Sequence, residues 1–146
     1  MDRSELVTFI RKRGLAVVAT RGPDGAPQAA LVGVAATDQA EIIFDTSASS
    51  RKYRNIQANP DVALVVGWDD EVTVQCEGRA DILTGVERSR CLRAYFDQYP
   101  DGRQRAQDPD IVHVRIRPHW VRYSDYRPDS FANHERRLDE TADSGE

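Results

Sequence analysis

The sequence predicts a mainly β protein: a six-stranded antiparallel β-barrel, closed or nearly closed, with flanking helices. Three observations carry that expectation. Short apolar runs of strand length recur between dense turn signals. Most of these runs are joined by hairpin-length connections, with helical patterns only at the start, after the third run and after the fifth. The GxGxxG fingerprint of a doubly wound α/β sheet is absent. Closing a short barrel also removes the edge strands that promote aggregation.

Taken in order, a helix is expected over 4–13, where Leu6, Val7, Phe9 and Ile10 recur at helical spacing before Gly14 ends it. Residues 15–20 read as a largely buried strand. The turn-rich Gly22-Pro23-Asp24-Gly25-Ala26-Pro27 leads into a second strand over 28–36, making a hairpin. Thr37-Asp38-Gln39-Ala40 turns the chain into a third strand over 41–44. The helix after it runs to about Ala58, because Pro60 disfavours helical geometry at Asn59.

A buried strand over 62–66 and a Trp68-Asp69-Asp70 turn follow. Along 72–77 apolar and polar residues alternate, so Val72, Val74 and Cys76 face the core while Thr73, Gln75 and Glu77 face outward or into a site. Gly78 permits a bend or bulge. Thr84 and Glu87 have the spacing of a capping box and open a helix to about Tyr99, with Cys91, Leu92, Tyr95, Phe96 and Tyr99 on one face. Residues 111–116 alternate again, with His113, Arg115 and Arg117 on the opposite face, read as an exposed or dimer-facing strand surface. Residues 120–126 continue the sheet beyond Pro118. The domain is expected to span 1–131, with 132–146 a polar, acidic, flexible tail.

A length of 146 residues and 40% hydrophobic content suit one folding unit. No apolar run approaches the roughly 18 residues of a membrane span, and the N-terminus lacks the basic-then-apolar plan of a signal peptide. The expected compartment is therefore the cytoplasm, with no membrane partner. The net charge of −4 argues against nucleic acid. Cys76 and Cys91 lack CxxC partners and read as reduced structural thiols, and His113 and His119 lack the spacing of metal ligands, so no metal is expected.

The most informative stretch is 44–56, a hydroxyl-rich turn from a strand into a helix whose first turn is cationic. The helix N-terminus already carries roughly half a positive elementary charge, so Arg51, Lys52 and Arg54 there repel it unless an anion sits among them. Free backbone amides, the hydroxyls of Thr46, Ser47, Ser49 and Ser50, and the adjacent Arg51 and Lys52 supply the donors a phosphate monoester accepts. Of the 20 basic residues only Lys12 and Lys52 are lysines, which singles out Lys52 as a compact point charge suited to phosphate.

Residues 6–123 resemble the pyridoxamine 5'-phosphate oxidase-like flavin-binding split-barrel family. The resemblance rests on the segments 14–20, 23–27, 44–56, 59–66 and 73–80 in the family's order, with Ser50-Arg51-Lys52 followed by Asn59-Pro60 as the specific part. It implies a split barrel of the FMN-binding type, forming a homodimer with two flavin sites between the subunits and the phosphate held at Arg51 and Lys52. It further implies that Thr46 touches the flavin near the ring or ribityl chain, that Thr73 contacts the ring, and that the strand 30–35, with Val32 inside it, lies along the isoalloxazine. This strand lacks the Arg and Lys that begin and end it in true pyridoxamine phosphate oxidases, and the C-terminal substrate-phosphate arginine motif is not visible. Both departures argue against vitamin B6 oxidase activity.

The function expected is an FMN-dependent oxidoreductase acting on a small molecule. The flavin carries the redox chemistry, so no catalytic side chain is assigned. A close variant uses the 8-hydroxy-5-deazaflavin coenzyme, whose LysXaaArgAsn phosphate element Lys52-Tyr53-Arg54-Asn55 resembles; the Arg51-Lys52 pair favours FMN. The other reading is a non-catalytic flavin carrier or sensor.

Overall fold

Helix α1 (Arg3–Arg13) begins where Asp2 and Glu5 close a reciprocal capping box and ends at Gly14, which adopts the left-handed conformation with φ of 72°. The computed structural model describes residues 1–138. After α1 come β1 (Leu15–Arg21), β2 (Pro27–Gly33), β3 (Ala35–Ala36), β4 (Ile42–Ser47), α2 (Arg51–Ala58), β5 (Asp61–Val66) and β6 (Val72–Ile82). Helix α3 (Gly85–Gln98), the short α4 (Gly102–Arg105), β7 (Ile111–Asp125) and β8 (Ala132–Arg137) complete them.

The strands form one curled antiparallel sheet in the order β2-β1-β5-β6-β7-β4-β3, with β8 added to β7. The hydrogen-bonded path begins at β2 and ends at β3, so the barrel is split. Its interior is filled by inward residues such as Val18, Phe44, Leu64, Val74, Val114 and Ile116. Leu6 and Ile10 of α1 and Ile56 of α2 join the same cluster. Outside the barrel, Cys91, Leu92 and Tyr95 of α3 pack on Ala35, Ile43 and Leu83. Strand β4 is therefore buried on both faces, which is why it reads as a continuous apolar run.

The alternation along 72–77 holds: Val72, Val74 and Cys76 are buried, while Thr73, Gln75 and Glu77 point outward. Cys76 and Cys91 are unpaired, buried thiols. Burial pushes the Cys76 thiol up to about 12, so it is inert. Among the described residues no helix is long and apolar enough to cross a membrane.

The structure corrects five expectations. The described residues contain eight strands rather than six. The strand expected over 28–36 divides at Val34, because its first part (β2) pairs with β1 and its last two residues (β3) pair with β4. The expected tail begins with β8, which pairs along β7 from Asp125↔Ala132 to Trp120↔Arg137; residues 139–146 of that tail lie outside the described residues. The polar composition of β8 hides it, because it is held by backbone bonds, by His134 stacked on Tyr123 at 6.4 Å and by an Arg122–Glu135 pair at 3.2 Å.

At the start of α3, Thr84 makes no side-chain cap. Glu87 turns instead to Arg90 at 2.8 Å and to Arg115 at 2.8 Å. Finally, the His113, Arg115, Arg117 stripe is not an exposed surface: α3 covers its first two members, leaving His113 at 1% and Arg115 at 5% exposure, and Arg117 alone is open.

Candidate functional site

Strand β4 delivers Thr46 and Ser47 to the turn that starts α2. Ser50 N-caps that helix, its hydroxyl accepting from the Tyr53 N–H at 3.2 Å. Thr46 Oγ1 lies 3.0 Å from Ser50 Oγ, so the two hydroxyls form one polar edge. The first-turn amides of Arg51 and Lys52 have no intrahelical acceptor. No acidic residue stands in that turn beside Arg51, Lys52 and Arg54.

Not every hydroxyl faces this opening. Ser47 Oγ donates to the Asp110 carboxylate and lies 2.6 Å from Ser49 Oγ, while the Ala48 N–H bonds the Asp110 carbonyl at 2.7 Å. Asp110 thus braces the flank of the turn from the start of β7 and occupies the donors of Ser47 and Ser49. The hydroxyl edge left to a ligand is Thr46 and Ser50.

Sequence reasoning passed over the residues that aim the cations. Gln28 of β2 accepts from Arg51 Nε at 2.9 Å and from Asn55 Nδ2 at 2.9 Å. Asn55 is buried and also donates to Thr20 Oγ1 at 3.0 Å. This Thr20–Asn55–Gln28 set ties α2 to the β1–β2 hairpin and fixes the approach of Arg51. Asn55 was detectable as a polar residue beside Ile56 on the buried side of a short helix; Asp110 left no local signal, since it meets the turn only through the β4–β7 pairing.

The structure gathers Thr46, Ser47, Ser50, Arg51 and Lys52 at this turn and sets Val32 and Thr73 apart from it. Val32 pairs with Ala16 and packs its side chain against the barrel core. Thr73 Oγ1 donates weakly to the Val66 carbonyl at 3.4 Å on the outer face of β6. There it lines a shallow depression of about 380 Å³ with Val17, Val65, Gln75 and Trp120. The outer face around it is apolar, with Leu15 at 43% and Leu31 at 61% exposure.

Beside Thr46, Asp45 accepts from Arg105 Nε at 2.9 Å, and Arg105 also donates to the Tyr95 hydroxyl at 3.1 Å. Burial pushes the Tyr95 phenol up to about 12, with the Arg105 hydrogen bond opposing it.

These features define a split antiparallel barrel with a helix start that carries three cations and no acid. The chain belongs to the pyridoxamine 5'-phosphate oxidase family, whose sequence model matches residues 3–125. It is 42% identical over 89 residues to a pyridoxine/pyridoxamine 5'-phosphate oxidase of Rubrobacter xylanophilus, covering 60% of this chain and 39% of that protein. It is 37% identical over 86 residues to the enzyme of the same name from Burkholderia vietnamiensis, covering 58% and 38%. The chain thus spans about two fifths of the length of these relatives.

Among solved structures, a heme binding protein from Mycobacterium smegmatis superposes with a TM-score of 0.79 at 17% identity, covering 94% of this chain and 58% of that one. General Stress Protein 26 from Bacillus anthracis superposes with a TM-score of 0.72 at 24% identity, covering 94% and 100%. Both likenesses concern the fold.

Proposed function

We propose that this chain binds FMN by its phosphate at the start of α2 and acts, as a homodimer, as a flavin-dependent oxidoreductase. The observation that carries the reading is the first turn of α2: three cations and no acid at a helix start whose first amides have no intrahelical acceptor, with Arg51 held in place by Gln28. A dianionic phosphate satisfies that arrangement chemically, so the residues present fit the cofactor. Family membership and the names of the relatives support the same class of chemistry.

In this reading Arg51, Lys52 and the first-turn amides hold the phosphate, and Gln28 orients Arg51. The Thr46–Ser50 hydroxyl edge would offer hydrogen bonds to the cofactor beyond its phosphate. Thr73 and the backbone of the strand containing Val32 would contact the ring, and the apolar outer face, covered by a second subunit, would exclude water. Bound FMN supplies the hydride acceptor and donor. Residues 30–35 contribute no cation, so a phosphorylated vitamin B6 substrate finds no counter-charge there.

The test is the absorption spectrum of the purified protein, followed by denaturation and chromatography of what is released. The expected result is a two-banded flavin spectrum releasing FMN. Arg51→Ala/Lys52→Ala should lose at least nine tenths of the bound cofactor with unchanged far-UV circular dichroism; undiminished flavin in that variant overturns the phosphate assignment. Release of 8-hydroxy-5-deazaflavin reassigns the cofactor. Bound flavin that is neither reduced by nicotinamide nucleotide nor reoxidised by an added acceptor makes the protein a carrier.

A further inference from the structure

The basic stripe on β7 has three members with three different fates. His113 lies under Tyr95 and Phe96 of α3, with ring centroids at 5.5 and 6.4 Å. Arg115 is neutralised by Asp81 at 2.7 Å, Glu87 at 2.8 Å and Glu41 at 3.1 Å. Arg117 emerges beyond the cover of α3, and its register partner across the β6–β7 ladder is Arg79. Two guanidinium-bearing strands directly opposite each other repel. Asp61 pairs with Arg79 at 3.7 Å and is shared with Arg21 at 3.6 Å.

This juxtaposition is built rather than incidental. The register shifts between Glu77 and Gly78, placing Gly78 against Pro118 and Arg79 against Arg117. A Cβ at Gly78 would come within 2.5 Å of the Arg117 carbonyl oxygen, so only glycine permits the close approach. The paired arginines open onto a cavity of about 650 Å³ whose wall also includes Arg3 and His119. The acids on the same wall are already committed: Glu41 is held by Arg90 at 2.7 Å and by Arg115, and Asp81 and Glu87 by Arg115.

We propose that this cavity binds a small molecule bearing phosphate or carboxylate groups, clamped between Arg79 and Arg117. The forked guanidinium donors match oxyanion geometry, and the volume is that of a small-ligand pocket. The site does not depend on the cofactor reading. Its wall includes Pro60, beyond the C-terminal end of α2, whereas the flavin phosphate is assigned to the opposite end of that helix.

The experiment follows the ring-proton NMR signal of His119, identified by its loss in His119→Gln, as inorganic phosphate or citrate is added at constant ionic strength and pH. It is run on the full chain and on Arg51→Ala/Lys52→Ala, so that phosphate bound at α2 is not counted. The expected result is a saturable shift in both proteins, weakened about tenfold or more by Arg117→Gln. Tighter response to phosphate identifies a phosphorylated ligand; tighter response to citrate identifies a polycarboxylate. Absence of a saturable shift with either anion, or an equal shift in Arg117→Gln, overturns the proposal.

Discussion

His113 shows how one side chain changes meaning when a helix is laid over it. Both ring nitrogens lack a hydrogen-bond partner among the described residues. Burial pulls its pKa from the ordinary 6.5 down to about 4, with Arg88 and Arg105 adding to the effect and Asp45 opposing it. The unfolded chain therefore takes up a proton at a pH where the native state does not. Stability falls as the pH is lowered from about 6.5 to about 4, and this contribution levels off below that. His113→Phe should remove it: urea midpoints measured across that window are expected to decline less in the variant than in the wild type. Glu41 is the converse case. Burial alone would raise it, but hydrogen bonds from Arg90 and Thr37 hold it below the usual carboxylate range. The stripe was visible as residue types, while its burial depended on where α3 came to rest.

At the scale of elements, periodicity carried most of the information. The alternation along β6 has one physical cause, a strand with one face on a core, so it survived into the structure. Strand β7 was legible in two pieces because Pro118 cannot donate to a ladder. It runs unbroken because Pro118 stands at the bulge opposite Gly78, where β7 exchanges β4 for β8 as its second neighbour. Gly78→Ala should accordingly cost about 1–3 kcal/mol in urea unfolding, since the atoms it meets are backbone and cannot turn away. An unchanged midpoint would mean that the bulge relaxes. Strand β8 and the missing cap at Thr84 were illegible for a common reason. Each is decided by contacts that the residue types do not announce: backbone pairing of polar residues with β7 across a short hairpin in one case, and the pull of Arg90 and Arg115 on Glu87 in the other.

For the whole molecule, the outer sheet face sets the assembly we propose. Leu15 and Leu31 are exposed on the β1–β2 hairpin beside Val17 and Val65. Apolar area of this kind on a sheet flanked by the proposed cofactor site favours a second copy of the chain. Leu31→Glu is expected to shift sedimentation from dimer to monomer and to release flavin while circular dichroism stays native. A wild-type monomer holding stoichiometric flavin would exclude the shared site.

The amino-acid order alone determined the class of fold and the cluster of cations at the start of α2, because strand alternation and the clash of cations with a helix dipole are local effects that neighbouring residues fully specify. Tertiary structure decided which hydroxyls remain available there, since Asp110 reaches Ser47 and Ser49 only through strand pairing. It also decided that Gln28 and Asn55 aim Arg51, and that Arg79 faces Arg117 across the ladder. These are contacts between segments distant in sequence, fixed by sheet register and by where the helices pack.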